Sequence, residues 1–97
     1  MKIYRRDRQK GKTTKLIRES HDTWIYIICA NRQRAENISK LAMKLDIDIP
    51  YPITVSELPI KSNFIRKVLV DDVEDVLFSI IGKEIITCTT SCEIDSE

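Results

Sequence analysis

The chain has 97 residues, and its 16 Lys and Arg nearly balance its 15 Asp and Glu, giving a formal net charge of +1. An apolar fraction of 42% with 32% charged residues fits one globular domain over residues 1–97, with no room for a second. No apolar run approaches the length that crosses a bilayer, and three cysteines without paired spacing exclude a disulfide framework. We therefore expect a cytoplasmic protein with no membrane partner.

The first half of the chain alternates predicted strands and helices. Residues 2–5 form a short strand, and residues 13–19 form a helix with no breaker before Ser20. Aromatic and β-branched residues over 23–30 predict a buried strand. Asn31 is a credible N-cap for a helix that runs to about residue 45. Its basic residues are expected to lie mostly away from its apolar face: Arg32, Arg34, Lys40 and Lys44.

The second half of the chain continues this alternation. The pattern predicts strands at 53–56, 65–71 and 84–89, a helix at 74–81 stopped by Gly82, and a frayed tail at 91–97. Strands that alternate with helices indicate a parallel sheet with right-handed crossovers. The expected fold is a single three-layer α/β domain with a mainly parallel sheet of about five strands.

Gly11-Lys12-Thr13 has the residue types that close a phosphate-binding loop (P-loop, Walker A). Glycine lets backbone N–H groups curl around a phosphate, lysine reaches the β- and γ-phosphates, and the hydroxyl of threonine binds Mg²⁺. The predicted helix begins here, so the positive end of its dipole would face the anion. The full pattern has an earlier glycine at position 6, where this chain has Arg6.

Two acids follow the predicted strand at 65–71 and predict a Walker B motif. Asp71 comes at the carboxyl end of the apolar run Val68-Leu69-Val70, where a P-loop NTPase places its Mg²⁺-side carboxylate. Asp72 stands where many such ATPases have a glutamate that polarises the attacking water. The alternative is that both acids are N-caps of the next helix.

These residues are expected to meet at one edge of the sheet. Lys12, Asp71 and Thr89 all lie at or just past the carboxyl ends of predicted strands, where ligands bind in parallel α/β folds. This placement predicts a P-loop NTPase-like domain.

The motifs together resemble the ASCE class of P-loop ATPases, specifically the ATPase cores of helicases and phage large terminases. Residues 7–14 look like the terminase variant of the loop, which also lacks the first glycine. Residues 29–33, 53–58, 71–74 and 87–90 are similar to helicase motifs Ia, Ib, II and III, in that order. The chain also looks like the small ATP-binding proteins of phages and prophages, which implies the cytoplasm of a host cell.

The resemblance implies a role for each candidate residue, with ATP and Mg²⁺ as ligands. Arg8 would face the γ-phosphate, Asp72 or Glu74 would orient water, and Thr89 would act as the sensor. Thr13 and Asp71 would hold Mg²⁺. The nucleotide-binding set is Arg8, Gln9, Lys10, Gly11, Lys12, Thr13 and Thr14.

Three functions remain open from the sequence. The first is an ATP-binding protein with weak or partner-stimulated hydrolysis in phage DNA replication, recombination or packaging. An arginine finger from another copy or a protein partner would assist hydrolysis, and the donors to test are Arg32, Arg34 and Arg66. The second is a catalytically inert P-loop-fold module that modulates a host or phage ATPase, which the aspartate at position 72 favours.

The third function is nucleic-acid binding through the basic segment 2–18. Its eight cations accompany one acid, Asp7: Lys2, Arg5, Arg6, Arg8, Lys10, Lys12, Lys15 and Arg18. From Asp71 onward the chain is acidic, and this polarity also suits head-to-tail contacts between copies. Whether the chain hydrolyses ATP is not decided by the sequence.

Overall fold

The computed structural model describes residues 1–5 and 11–96, in which helices alternate with short strands. The strands are β1 (Lys2–Arg5), β2 (Ile27–Cys29), β3 (Ile53–Thr54), β4 (Leu69–Val70) and β5 (Glu93–Ser96). The helices are α1 (Lys12–Thr23), α2 (Arg32–Lys44) and α3 (Val73–Ile81), and a 3₁₀ turn spans Val55–Glu57.

The strands form two parallel sheets. In the first, β2 lies between β3 and β4, and Ile28 is in register with both Ile53 and Val70. In the second, β1 pairs with β5, with Lys2 in register with Glu93. The prediction of an α/β fold with parallel strands is therefore confirmed, although the strands do not join into the single sheet that was expected.

Helices cover both faces of the three-stranded sheet because successive strand residues point to opposite faces. Ile27 and Cys29 of β2 pack with Ile17 of α1 and with the apolar face of α2. Ile28, between them, packs on the other face with Ile53 and with Val76 of α3. The result is three layers, and it holds α1 and α2 together on one side of the sheet.

Two helix ends lie where the sequence predicted them, at Asn31 before α2 and at Gly82 after α3. The side chain of Asn31 accepts a hydrogen bond of 3.0 Å from the Arg34 N–H, as expected of an N-cap. Gly82 ends α3 in the left-handed conformation, with φ 77°.

Helix α1 is longer than predicted because Ser20 does not break it. The Ser20 hydroxyl is buried and donates to the Ile25 carbonyl oxygen at 2.6 Å, a contact within the fold that offsets the weak helix preference of serine. The helix continues to Thr23, so the strand predicted over 23–30 shortens to β2.

The last predicted strand is wrong in position. Residues 84–89 form no strand, and Ile86 is 83% exposed while Ile85 is half-buried, so this apolar run has no ladder partner and is only partly covered. The strand forms at Glu93–Ser96 instead, within the predicted frayed tail, because these residues pair with β1. Pairing between distant segments decided the outcome, and the local composition did not.

Candidate functional site

Helix α1 and strand β4 bring two predicted site residues into contact. Thr13 lies in the first turn of α1, and Asp71 directly follows β4. The Thr13 hydroxyl donates a hydrogen bond to Oδ1 of Asp71 at 3.2 Å. The two residues meet as the sequence predicted, although β1, the strand before α1, does not belong to the sheet that contains β4. Instead, α1 packs on the central strand β2, and β2 pairs with β4.

Asp71 is a buried carboxylate held in place by its backbone. Its residue exposure is 8%, and its N–H donates to the Ile28 carbonyl at 2.9 Å, which extends the pairing of β2 and β4 by one residue. Burial raises the pKa of the Asp71 carboxyl above its ordinary value, while the Thr13 hydrogen bond and the positive charge of Arg34 lower it. A buried acid whose pKa is shifted by burial and by charged neighbours marks a candidate functional site.

The start of α1 is shaped for an anion. Gly11 is the N-cap residue and has φ 106° and ψ −36°, a backbone conformation that L-residues with a Cβ rarely adopt. Gly11 has no side chain that could cap the helix, and the first turn of α1 contains no acidic residue. The first N–H groups of a helix have no partner within the helix and carry its positive dipole end. N–H groups in this position can donate hydrogen bonds to a phosphate.

A cavity of about 470 Å³ opens beside the Thr13–Asp71 pair. Its volume lies in the range of small-molecule sites, roughly 300 to 1,000 Å³. The start of α1 provides Gly11, Thr13 and Thr14, and helix α2 provides Arg34, Asn37, Ile38 and Leu41 opposite the carboxylate of Asp71. The cavity thus combines hydroxyls, one carboxylate, one guanidinium and an apolar wall.

Lys12 is half-buried at the start of α1, next to these residues. Burial has the largest effect on the pKa of Asp71 and raises it. The Lys12 ammonium is one of the neighbouring groups that lower this pKa. Lys12 is not among the residues that line the cavity, so its predicted contact with phosphates stays a prediction.

The two acids that follow β4 have different environments. Asp72 is the N-cap of α3, with φ 59°, and its Oδ1 accepts from the Asp75 N–H at 3.3 Å. The capping alternative is thus confirmed for Asp72, while Asp71 contacts Thr13 instead. Glu74, in the first turn of α3, is exposed.

The other predicted residues are not brought into this cavity. Thr89 is exposed in the segment between α3 and β5, outside the cavity lining. Arg8, Gln9 and Lys10 lie outside the described residues. Their assigned roles, like those of Asp72 and Glu74, stay predictions.

Arg34 is the residue whose position the sequence misjudged. The basic residues of α2 were expected to lie mostly away from its apolar face, and Arg34 was one of three arginines to be tested as a finger toward another copy, but it lines the cavity of its own chain. The Arg34 Nε lies 3.0 Å from Oδ2 of Asp75. Helical spacing was the available signal, because positions 34, 38 and 41 share one face of a helix, and Ile38 and Leu41 line the same cavity.

The donor set limits which metal site is possible. Among residues 1–5 and 11–96, no three His, Cys, Asp or Glu side chains come together as ligands. One hydroxyl and one carboxylate still fit Mg²⁺, which is usually held by one or two carboxylates together with substrate phosphates and water. Thr13 and Asp71 therefore fit a Mg²⁺–phosphate complex better than a metal held by protein alone.

Tyr4, an aromatic residue within the basic segment 2–18, is in contact with two lysines. The Nζ atoms of Lys15 and Lys2 lie 4.9 and 5.6 Å from the centre of the Tyr4 ring. A base stacked on Tyr4 would have to compete with these ammonium groups. This arrangement lends no support to nucleic-acid binding through stacking on Tyr4.

No family model, curated protein or solved structure matches the chain. In the part of the chain that the structure describes, no helix has both the length and the apolar content to span a membrane.

Proposed function

We propose that the protein binds a nucleoside triphosphate together with Mg²⁺, in the cavity between the start of α1 and helix α2. The observation that carries the proposal is the hydrogen bond of 3.2 Å between Thr13 and Asp71 beside that cavity. It joins the last residue of the predicted phosphate loop to the acid of the predicted Walker B strand. A surface turn that only happened to read Gly-Lys-Thr would have no reason to meet this acid.

Each residue has a task that its chemistry suits. The N–H groups at the start of α1 would donate to phosphate oxygens, with Gly11 leaving the approach free of a Cβ. The Lys12 ammonium would neutralise phosphate charge. Thr13 and Asp71 would hold the metal, whose contribution when bound is to neutralise charge on the phosphates. ATP is the proposed nucleotide on the resemblance to helicase and terminase cores, as is a role in phage DNA replication, recombination or packaging.

The test is calorimetric titration of Mg·ATP and Mg·GTP into wild-type protein, Lys12→Ala and a control, Lys40→Ala, whose lysine is exposed on α2. Because a hydrogen bond to a charged group contributes about 1.5 to 3 kcal/mol, Lys12→Ala should weaken binding about tenfold or more. Lys40→Ala should bind as wild type does. Equal affinities for all three proteins, or no binding by any, would refute the proposal.

A second candidate function is an inert P-loop-fold module that binds a host or phage ATPase. Two observations favour it over an active hydrolase. The Asp72 carboxylate is already engaged as the cap of α3, so it is less suited to orienting water. Helix α3 also exposes several large apolar side chains that a protein partner could cover: Val73, Leu77, Phe78, Ile80 and Ile81.

A turnover assay separates the two candidates. Phosphate release from Mg·ATP is measured with wild-type protein and with Asp72→Asn, which keeps the cap acceptor but removes the charge. Turnover that Asp72→Asn abolishes would support hydrolysis. Nucleotide binding without turnover, with DNA or host extract present, would support the inert module.

A further inference from the structure

Arg34 lies between the cavity and the start of helix α3. Its side chain lines the cavity from α2, while its Nε is 3.0 Å from Oδ2 of Asp75. One of its terminal nitrogens is 4.0 Å from Oδ2 of Asp72, an ion-pair distance too long for a hydrogen bond. The same guanidinium therefore faces both the cavity and the acids of α3.

The positive charge of Arg34 acts on Asp71, and both residues line the cavity. Burial raises the pKa of Asp71, and the Arg34 guanidinium is among the groups that lower it. A cation that stabilises the carboxylate of Asp71 from α2 also adds positive potential where an anionic ligand would lie.

The pair with Asp75 is weak enough to be exchanged. The side chains of Arg34 and Asp75 are 37% and 31% exposed, and ion pairs this open to solvent contribute little to stability. A phosphate group has more negative charge than a carboxylate and accepts two parallel N–H bonds from guanidinium. A phosphate in the cavity would therefore compete well for Arg34.

We propose that Arg34 is an anion-binding residue of this cavity, and that Asp75 and a bound phosphate group compete for its guanidinium. The inference rests on the proposed function, because it assigns a ligand contact within the same cavity. It also means that ligand binding weakens the link between α2 and α3, which Arg34 and Asp75 provide.

The competition predicts opposite effects for the two partners. We would titrate Mg·ATP into wild-type protein, Arg34→Ala, Asp75→Asn and the double variant. Arg34→Ala should weaken binding about tenfold or more, because charge-assisted hydrogen bonds are lost. Asp75→Asn should tighten binding by up to about fivefold, since the competing acceptor charge is gone.

The double variant and a control make the test specific. In the Arg34→Ala background, Asp75→Asn should have no further effect, because its action depends on Arg34. Arg32→Ala removes an exposed arginine from the same helix and should bind as wild type does. Circular dichroism verifies the fold, and Asp75→Ser replaces Asp75→Asn if the latter does not fold.

The outcomes separate the two proposals. If Lys12→Ala weakens binding but the Arg34 and Asp75 variants bind as wild type does, the inference is wrong and the proposed function stands. If Asp75→Asn weakens binding, the pair supports the site and does not compete with the ligand, which also overturns the inference. If wild-type protein binds no nucleotide, both proposals fail together.

Discussion

The hydroxyl of Thr13 and the carboxylate of Asp71 are joined by a hydrogen bond of 3.2 Å, although 58 positions separate them in the sequence. One belongs to the first turn of α1 and the other to the residue after β4. Because each side chain touches the other, a change in either should alter the charge state or the ligand affinity of the site.

Removing the Thr13 hydroxyl should weaken the dependence of nucleotide binding on Mg²⁺. Thr13→Ala takes away one of the two proposed metal ligands, so the affinities for ATP measured with Mg²⁺ and with EDTA should become more similar. Thr13→Ser keeps the hydroxyl and should keep most of the Mg²⁺ effect. The matched control is Thr23→Ala, at the exposed end of the same helix. A full Mg²⁺ effect in Thr13→Ala would show that Thr13 is not a metal ligand.

The pKa of Asp71 should make the stability of the fold depend on pH. Burial raises this pKa above the ordinary 3.8, so between the two values the folded chain binds more protons than the unfolded chain. The stability contributed by the neutral carboxyl is present below the ordinary value and is lost as the pH rises through the raised value. Asp71→Asn should therefore melt at a higher temperature than wild type near pH 7.

Thermal unfolding from about pH 4 to about pH 7 measures this effect. The difference in melting temperature between Asp71→Asn and wild type should grow as the pH rises and then level off. Asp22→Asn, which changes an exposed acid on α1, should show no such growth. An Asp71→Asn variant with the same pH profile as wild type would contradict the raised pKa.

Ile17 should be important for the stability of the fold. It has no solvent exposure and packs α1 against β2 and α2, so Ile17→Ala should lower the free energy of unfolding by about 2 to 5 kcal/mol. Ile86→Ala changes an exposed side chain and should alter it by no more than about 0.5 kcal/mol. Urea unfolding measures both. Similar losses would mean that α1 is not anchored by this core.

Local chemistry made part of the fold predictable. The caps at Asn31 and Gly82 depend on the residue itself and on neighbours a few positions away, so the sequence located them correctly. The acid at the end of β4 was also located correctly, but the strand before it is only Leu69–Val70 and Val70 is exposed, so the buried strand predicted over 65–71 is wrong in length and in burial. The meeting of Thr13 and Asp71 was predicted from a single parallel sheet; in the structure it depends on the packing of α1 on β2, because β1 and β4 are in different sheets.

Contacts between distant segments were not predictable from local patterns. The Ser20 hydroxyl prolongs α1 through a bond to a residue beyond the helix, and β5 depends on β1 at the other end of the chain. Arg34 was considered only as one of three candidate arginine fingers, because the sequence does not show which arginine on a helix faces a cavity of the same chain. The ion pair between Arg34 and Asp75 depends on where α3 packs, and local sequence patterns do not give that position.

The pairing of β1 with β5 has a consequence for the order of folding. Closing a loop between opposite ends of a chain carries an entropic penalty that rises with loop length, and a sheet of only two strands is marginally stable by itself. We therefore expect these strands to associate after the three-stranded sheet and to separate before it. Amide hydrogen exchange should show this as faster exchange in β1 than in β2.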